Sequence, residues 1–242
     1  MIQQQLCIIR DFYESNSNPQ IIKKIEKFFK DGYDGYGIET KLAEKQVNKW
    51  IKEWGGSLSM SDCLQLGDAL MRQGRYDEKN LAIAFLRSKR TDFSKETFRR
   101  LNYWFEVGIN NWATTDVLCW YIISIMLADK VIDFNDLKPW NDAVYPWQRR
   151  SVPVALYELL KIEKELNPDA VFQLVEPLML DGNEYVQKGL GTLFREMWKY
   201  DPSEIEDFLL KWKDVCGRLI IQYATEKMTP ENRSKFKKSK GV

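Results

Sequence analysis

Trp147-Gln148-Arg149-Arg150 and, 39 positions later, Val186-Gln187-Lys188-Gly189 decide how this chain is read. In both, a large apolar residue precedes Gln and a base, and apolar residues then recur three and four positions apart, the period of one face of a helix. Pro146, just before the first of them, suits the opening turn of a helix, where its missing N–H is not needed. Trp112, 35 positions before Trp147, opens a third such pattern. Spacings of 35 to 39 fit repeating helical pairs, each unable to bury its apolar face alone and therefore stacked on its neighbours.

Outward from there the pattern continues. Ile21, Ile22, Ile25, Phe28 and Phe29 are helically spaced, and Leu42, Val47, Trp50, Ile51 and Trp54 continue up to Gly55-Gly56. Further helices are expected over 60–71, 78–86, 95–107, 112–128, 134–143, 147–166, 170–180, 184–200, 202–212 and 216–228. Ser94 with Thr97, Asn167-Pro168 and Asp201-Pro202 supply start signals. No stretch alternates with period two. Gly and Pro number only 13 and 8 in 242 residues, which also argues against a loop-rich or all-β fold. The expected architecture is all-α: a HEAT-like helical-repeat solenoid, an α-α superhelix, whose concave face would receive a partner.

Lys and Arg number 36 against 35 Asp and Glu. Five of those bases, Arg233, Lys235, Lys237, Lys238 and Lys240, fall with one acid in residues 231–242, leaving a body of 31 bases and 34 acids. A near-neutral body does not carry the basic signature of a general nucleic-acid binder, so any basic surface is local. Histidine is absent, which removes Ser-His-Asp and Cys-His catalysis and His-ligated metal sites. Cys7, Cys63, Cys119 and Cys216 stand singly and are expected as buried, reduced thiols. The first ten residues lack the pattern of a signal peptide. The twelve-residue apolar run 117–128 is too short to span a bilayer. A soluble, cytoplasmic protein is expected.

Three segments could carry chemistry. Trp112 and Asp116 are four apart, so on a helix they share a side. They would form either an anionic, π-faced pocket for a cation, or an ordinary packing residue beside a carboxylate that complements the helix dipole. Arg149 and Arg150 beside Trp147, at a helix start, suit phosphate binding or a solvated pair packed on the indole. Gly189 and Gly191 cost roughly 1 kcal/mol each inside a helix, so a neighbouring helix or a ligand must approach their backbone closely.

Taken in order, these segments resemble the AlkD-like DNA alkylation repair family, HEAT-like repeat DNA glycosylases. The family's Trp followed four positions later by Asp is matched by Trp112 and Asp116. Its W-x-x-R helix start is matched by Trp147 and Arg150. Its V/I-Q-K-A-x-G/S-W-x-L-R-E helix is matched by Val186-Gln187-Lys188, Gly191 and Arg195-Glu196, with Thr192 in place of the family's cleft-lining Trp. Tyr36-Gly37-Ile38-Glu39-Thr40 is similar to the family's G-I/V-x-T/V turn.

The resemblance covers residues 3–230. It implies one such domain over 1–230; the run of bases over 231–242 is expected as a basic, flexible tail. It further implies a monomeric glycosylase that hydrolyses the N-glycosidic bond of cationic alkylpurines, N3-methyladenine and N7-methylguanine, in double-stranded DNA, without cofactor or metal. Trp112 and Asp116 would be catalytic, and Arg150, Arg149, Trp147 and Lys188 would hold DNA. The alternative, favoured by Thr192 and the neutral body, is a catalytically inactive HEAT-like module that binds damaged or branched DNA or a protein partner.

Overall fold

The computed structural model describes residues 2–239, and every regular element among them is helical. They form two compact units that meet in sequence between Ile122 and Ile123.

The first unit holds α1 (Ile2–Ser15), α2 (Pro19–Ile25), α3 (Thr40–Trp54), α4 (Met60–Gln73), α5 (Tyr76–Arg87), α6 (Lys95–Val107) and α7 (Trp112–Leu118). Alternate helices pack together: α4 on α6, α3 on α5, and α5 on α7. Spacing and caps explain the boundaries. Ser94 starts α6 by accepting the Thr97 N–H at 3.2 Å, and Gly67 lets Trp104 of α6 lie directly on α4.

The Tyr36–Thr40 turn is a knot in this unit. Gly37 sits at φ +67°, a left-handed conformation that disfavours other residues. The Tyr36 carbonyl accepts from Asn18 N and Ser17 Oγ, while its own N–H donates to Asp77 at 2.7 Å. Its hydroxyl donates to Glu78 at 2.7 Å, and Arg10 of α1 also binds this carboxylate, which is almost fully buried. A buried charge needs such partners, because desolvation otherwise outweighs its attractions.

The second unit holds α8 (Ser124–Ala128), α9 (Phe134–Leu137), α10 (Pro146–Glu163), α11 (Pro168–Val175), α12 (Glu184–Met197), α13 (Pro202–Trp212), α14 (Arg218–Ala224) and α15 (Pro230–Ser234). Helices α8, α10, α12 and α14 pack in succession as one layer; α9, α11 and α13 form the other. Asn167 and Asp201 cap α11 and α13 through the N–H groups of Ala170 and Glu204.

In α12, each glycine faces a neighbour. A Cβ on Gly189 would lie 3.2 Å from Pro153 Cγ of α10, and one on Gly191 would lie 2.5 Å from Tyr223 Cβ and 2.8 Å from the Ile220 carbonyl oxygen of α14. The close approach read from the sequence is therefore that of packed helices.

Several expectations change. The spans 134–143 and 170–180 are not single α-helices: each passes into a 3₁₀ turn, Lys138–Asp142 and Glu176–Leu180, near Pro139 and Pro177. Proline lacks the N–H that would continue the α ladder. The helix from Trp112 changes to π form over Cys119–Ile123 before α8. Cys63 and Cys119 are buried, but Cys7 is exposed and Cys216 only partly covered, because neither side chain belongs to its helix's or turn's apolar stripe.

The basic segment is anchored as far as it is described. It carries α15, Phe236 is 1% exposed, and Ser239 N–H donates to Asp214 at 2.7 Å. Lys240 lies outside the described residues.

Gly191→Ala should destabilise the protein by about 1–3 kcal/mol, the cost of overpacking a tight contact. Gly182→Ala, where nothing lies within 4 Å, should change stability by less than about 0.5 kcal/mol. Urea unfolding of the two variants measures the difference.

Candidate functional site

Asn111 caps α7, its side-chain oxygen accepting the Thr114 N–H at 2.9 Å, and so places Trp112 in the first turn. Ala113, Thr114 and Thr115 turn inward and are buried; Trp112 and Asp116 remain partly exposed on the other side. The structure thus brings Trp112 and Asp116 together, one helical turn apart.

Trp112 is held from a distant part of the same unit. Its Nε1–H donates to the Phe28 carbonyl oxygen at 3.3 Å, and its indole stacks on Phe29 at 5.5 Å and 27°. Phe29 also meets Tyr33 at 5.0 Å and Tyr76 at 5.7 Å, and those two phenols lie 5.3 Å apart. Four rings from three segments therefore gather beside Asp116. Sequence reading missed Phe29, Tyr33 and Tyr76, because only folding brings them to Trp112.

The electrostatics of this cluster are anionic. Burial raises the Tyr76 phenol pKa, and the carboxylates of Asp77 and Asp116 add to the shift against an opposing hydrogen bond from Asn80. Burial likewise pushes up Tyr33, with Asp77, Tyr76 and Asp34 contributing. It also raises Asp77, against the N–H groups of Tyr36 and of Asp77 itself. Nearby Lys79 is lowered, first by its own burial, and donates to Asn110 at 3.3 Å. A cation placed on the exposed indole would meet π density and carboxylates together.

The residues expected to hold phosphates lie in the second unit and are engaged within the chain. Arg149 makes a two-pronged pair with Asp181 (Nε to Oδ2 at 2.5 Å, Nη2 to Oδ1 at 3.4 Å) and donates to the carbonyls of Ala143 and Val144. It ties the start of α10 to the loop before α12. Arg150 is 9% exposed and donates to the Tyr185 carbonyl at 2.6 Å. Lys188 pairs with Glu184 at 2.8 Å and lies over the Tyr185 ring, against which Trp147 also packs at 4.9 Å. Thr192 is partly exposed, and Trp198 donates its Nε1–H to Glu206, away from any role in place of the missing aromatic. Among the described residues no group of His, Cys, Asp and Glu side chains is arranged to hold a metal ion, and no helix is long and apolar enough to cross a membrane.

The geometry of Arg149 gives an expected outcome. Arg149→Ala leaves the Asp181 carboxylate, 7% exposed, without its guanidinium, and should cost about 3 kcal/mol in urea unfolding. Arg149→Lys should recover little, because one ammonium cannot replace a two-pronged fork.

Comparison with known proteins agrees with this picture. The chain shares its fold with the solved structure of a "Predicted DNA alkylation repair enzyme" from Enterococcus faecalis: TM-score 0.74 at 18% identity, covering 89% of this chain and 98% of that one. No curated protein matches it in sequence. The family model of the DNA alkylation repair enzymes matches residues 9–228, nearly the whole chain. The chain belongs to the DNA alkylation repair enzyme family.

Proposed function

We propose that this protein is a DNA glycosylase that removes cationic alkylpurines, N3-methyladenine and N7-methylguanine, from double-stranded DNA. The observation that carries the reading is the Trp112–Asp116 pair at the start of α7, backed by the rings of Phe29, Tyr33 and Tyr76.

The chemistry suits a site without histidine. Alkylation puts a positive charge on the base, so it leaves as a neutral molecule once the C1′–N bond breaks, taking the bonding pair with it and needing no general acid. The deoxyribose acquires oxocarbenium character as that bond lengthens. A carboxylate beside it stabilises the developing cation, and Asp116 supplies that charge. Water then adds to C1′ and releases a proton, which Asp116 is placed to accept. The Trp112 face prefers the charged lesion to a neutral base.

Phe29, Tyr33 and Tyr76 back the indole from its own unit and give Trp112 a fixed orientation. Arg150 and Lys188 would border the path of the DNA backbone. Arg149 is left out of this role because its donors are spent on Asp181 and two carbonyls.

A second reading is favoured by a specific observation. Thr192 stands, partly exposed, where the family's cleft carries Trp, which suits a module that binds damaged or branched DNA, or a protein, without reacting. Base release decides between them.

Asp116→Asn keeps the side-chain shape and removes the charge. If the carboxylate contributes about 3 kcal/mol to the transition state, release of N7-methylguanine from methylated duplex should fall by about two orders of magnitude. Affinity for DNA should change little, since a carboxylate repels phosphates. A wild-type protein that binds duplex but releases no alkylated base establishes the binding module instead.

A further inference from the structure

Downstream of Asp116 the helix does something unusual. Over Cys119–Ile123 it widens to π form, a rare turn that often marks functional positions. Consecutive side chains on an α-helix point about 100° apart and do not face each other. Here the rings of Trp120 and Tyr121 stack at 4.9 Å and 7°. Trp120 is nevertheless 55% exposed.

The stack has a third layer. The Arg87 guanidinium, at the end of α5, lies over the Tyr121 ring at 4.1 Å. Its side chain is exposed, and it forms no ion pair among the described residues. A guanidinium held over a ring by a cation–π contact is positioned without using up its N–H donors, which suits a phosphate. An exposed base in the last turn of a helix also complements the dipole, but that accounts for neither the Trp120 stack nor the π turn.

Asp116 lies one turn beyond Trp112 on the same side of the helix, and Trp120 follows four positions later, just inside the π turn. Eight residues rise about 12 Å, the length of three to four base-pair steps at ~3.4 Å each.

We propose that Arg87, Tyr121 and Trp120 form a second DNA-contacting platform, three to four nucleotides along the duplex from the base held at Trp112. Arg87 binds a backbone phosphate there, and Trp120 stacks against a nucleotide of the strand distorted beside the lesion. The proposal rests on the reading of Trp112 and Asp116 as a site acting on DNA, and it deepens that reading by adding a subsite.

The test compares wild type with Arg87→Gln, Trp120→Ala and Trp120→Phe. Binding to a fluorescein-labelled duplex is followed by anisotropy between about 50 and 200 mM salt, and single-turnover release of N7-methylguanine is followed at saturating protein. Arg87→Gln should lower the slope of log affinity against log salt by about 0.9, one phosphate contact. Trp120→Ala should raise Kd roughly tenfold with the slope unchanged, and Trp120→Phe should recover most of that loss. Release at saturating protein should fall by a smaller factor than affinity in all three, since these side chains act first on binding.

If both side chains can be altered without effect on affinity or slope, while wild type binds DNA and releases base, the platform is refuted and the glycosylase reading stands. A wild-type protein that neither binds duplex nor releases base overturns both. If Trp120→Ala instead dissociates a dimer in sedimentation and leaves DNA binding alone, the surface joins two copies and the platform is refuted. Should Trp120→Ala lower the melting temperature, Trp120→Phe and the Arg87→Gln slope decide.

Discussion

The close approach of α10 and α14 to the bare backbone of α12 sets the rest of the second unit. Pro153 sits inside α10, where a proline removes a ladder hydrogen bond, yet its ring lies where Gly189 offers no side chain. On the other flank, Gly191 admits Tyr223 and Ile220. The glycines cost roughly 1 kcal/mol each as helix residues. Burial of Val186, Leu190, Leu193 and Phe194, at ~1.5–3 kcal/mol for each large side chain, offsets that cost. The same closeness lets Arg150 reach the Tyr185 carbonyl and brings Gln187 against Gly217.

A second regularity runs through both units: charge is placed inside and then answered. Glu78 is closed in by Arg10, Tyr36 and the Arg75 N–H, and Asp181 by Arg149 and the Asn183 N–H. Each arrangement satisfies a carboxylate that would otherwise be costly to desolvate. The consequence for function is subtractive. Bases that look available along the sequence are committed to the fold, which is why a count of 36 bases says little about the surface a polyanion would meet.

Much of the fold could be read from the residues. Helices α6 and α13 begin and end where the apolar spacing and the capping residues Ser94 and Asp201 place them. The elements that escaped are governed by weaker local signals: α15 lies within a charged run with little apolar periodicity, and the π turn has no signature in composition. At the site, Trp112 and Asp116 were legible because a four-residue spacing is a local property of a helix. The rings around Trp112 were not, since the Phe28 carbonyl that receives its N–H is 84 residues away in sequence. Nor did adjacency of Arg149 and Arg150 show that one guanidinium faces Asp181 and the other a backbone carbonyl.

The anchored basic segment bears on how fast a polyanion is captured. A loose arm sweeps a volume and makes first contact in any orientation. Here Arg233 is tied to the carbonyls of Thr225 and Glu226, and Lys235 to Glu206, while Lys237 follows the buried Phe236. These charges therefore contribute a field of fixed direction, felt within about 8–10 Å at physiological salt. Such a field orients an approaching polyanion during encounter instead of extending the radius at which it is caught.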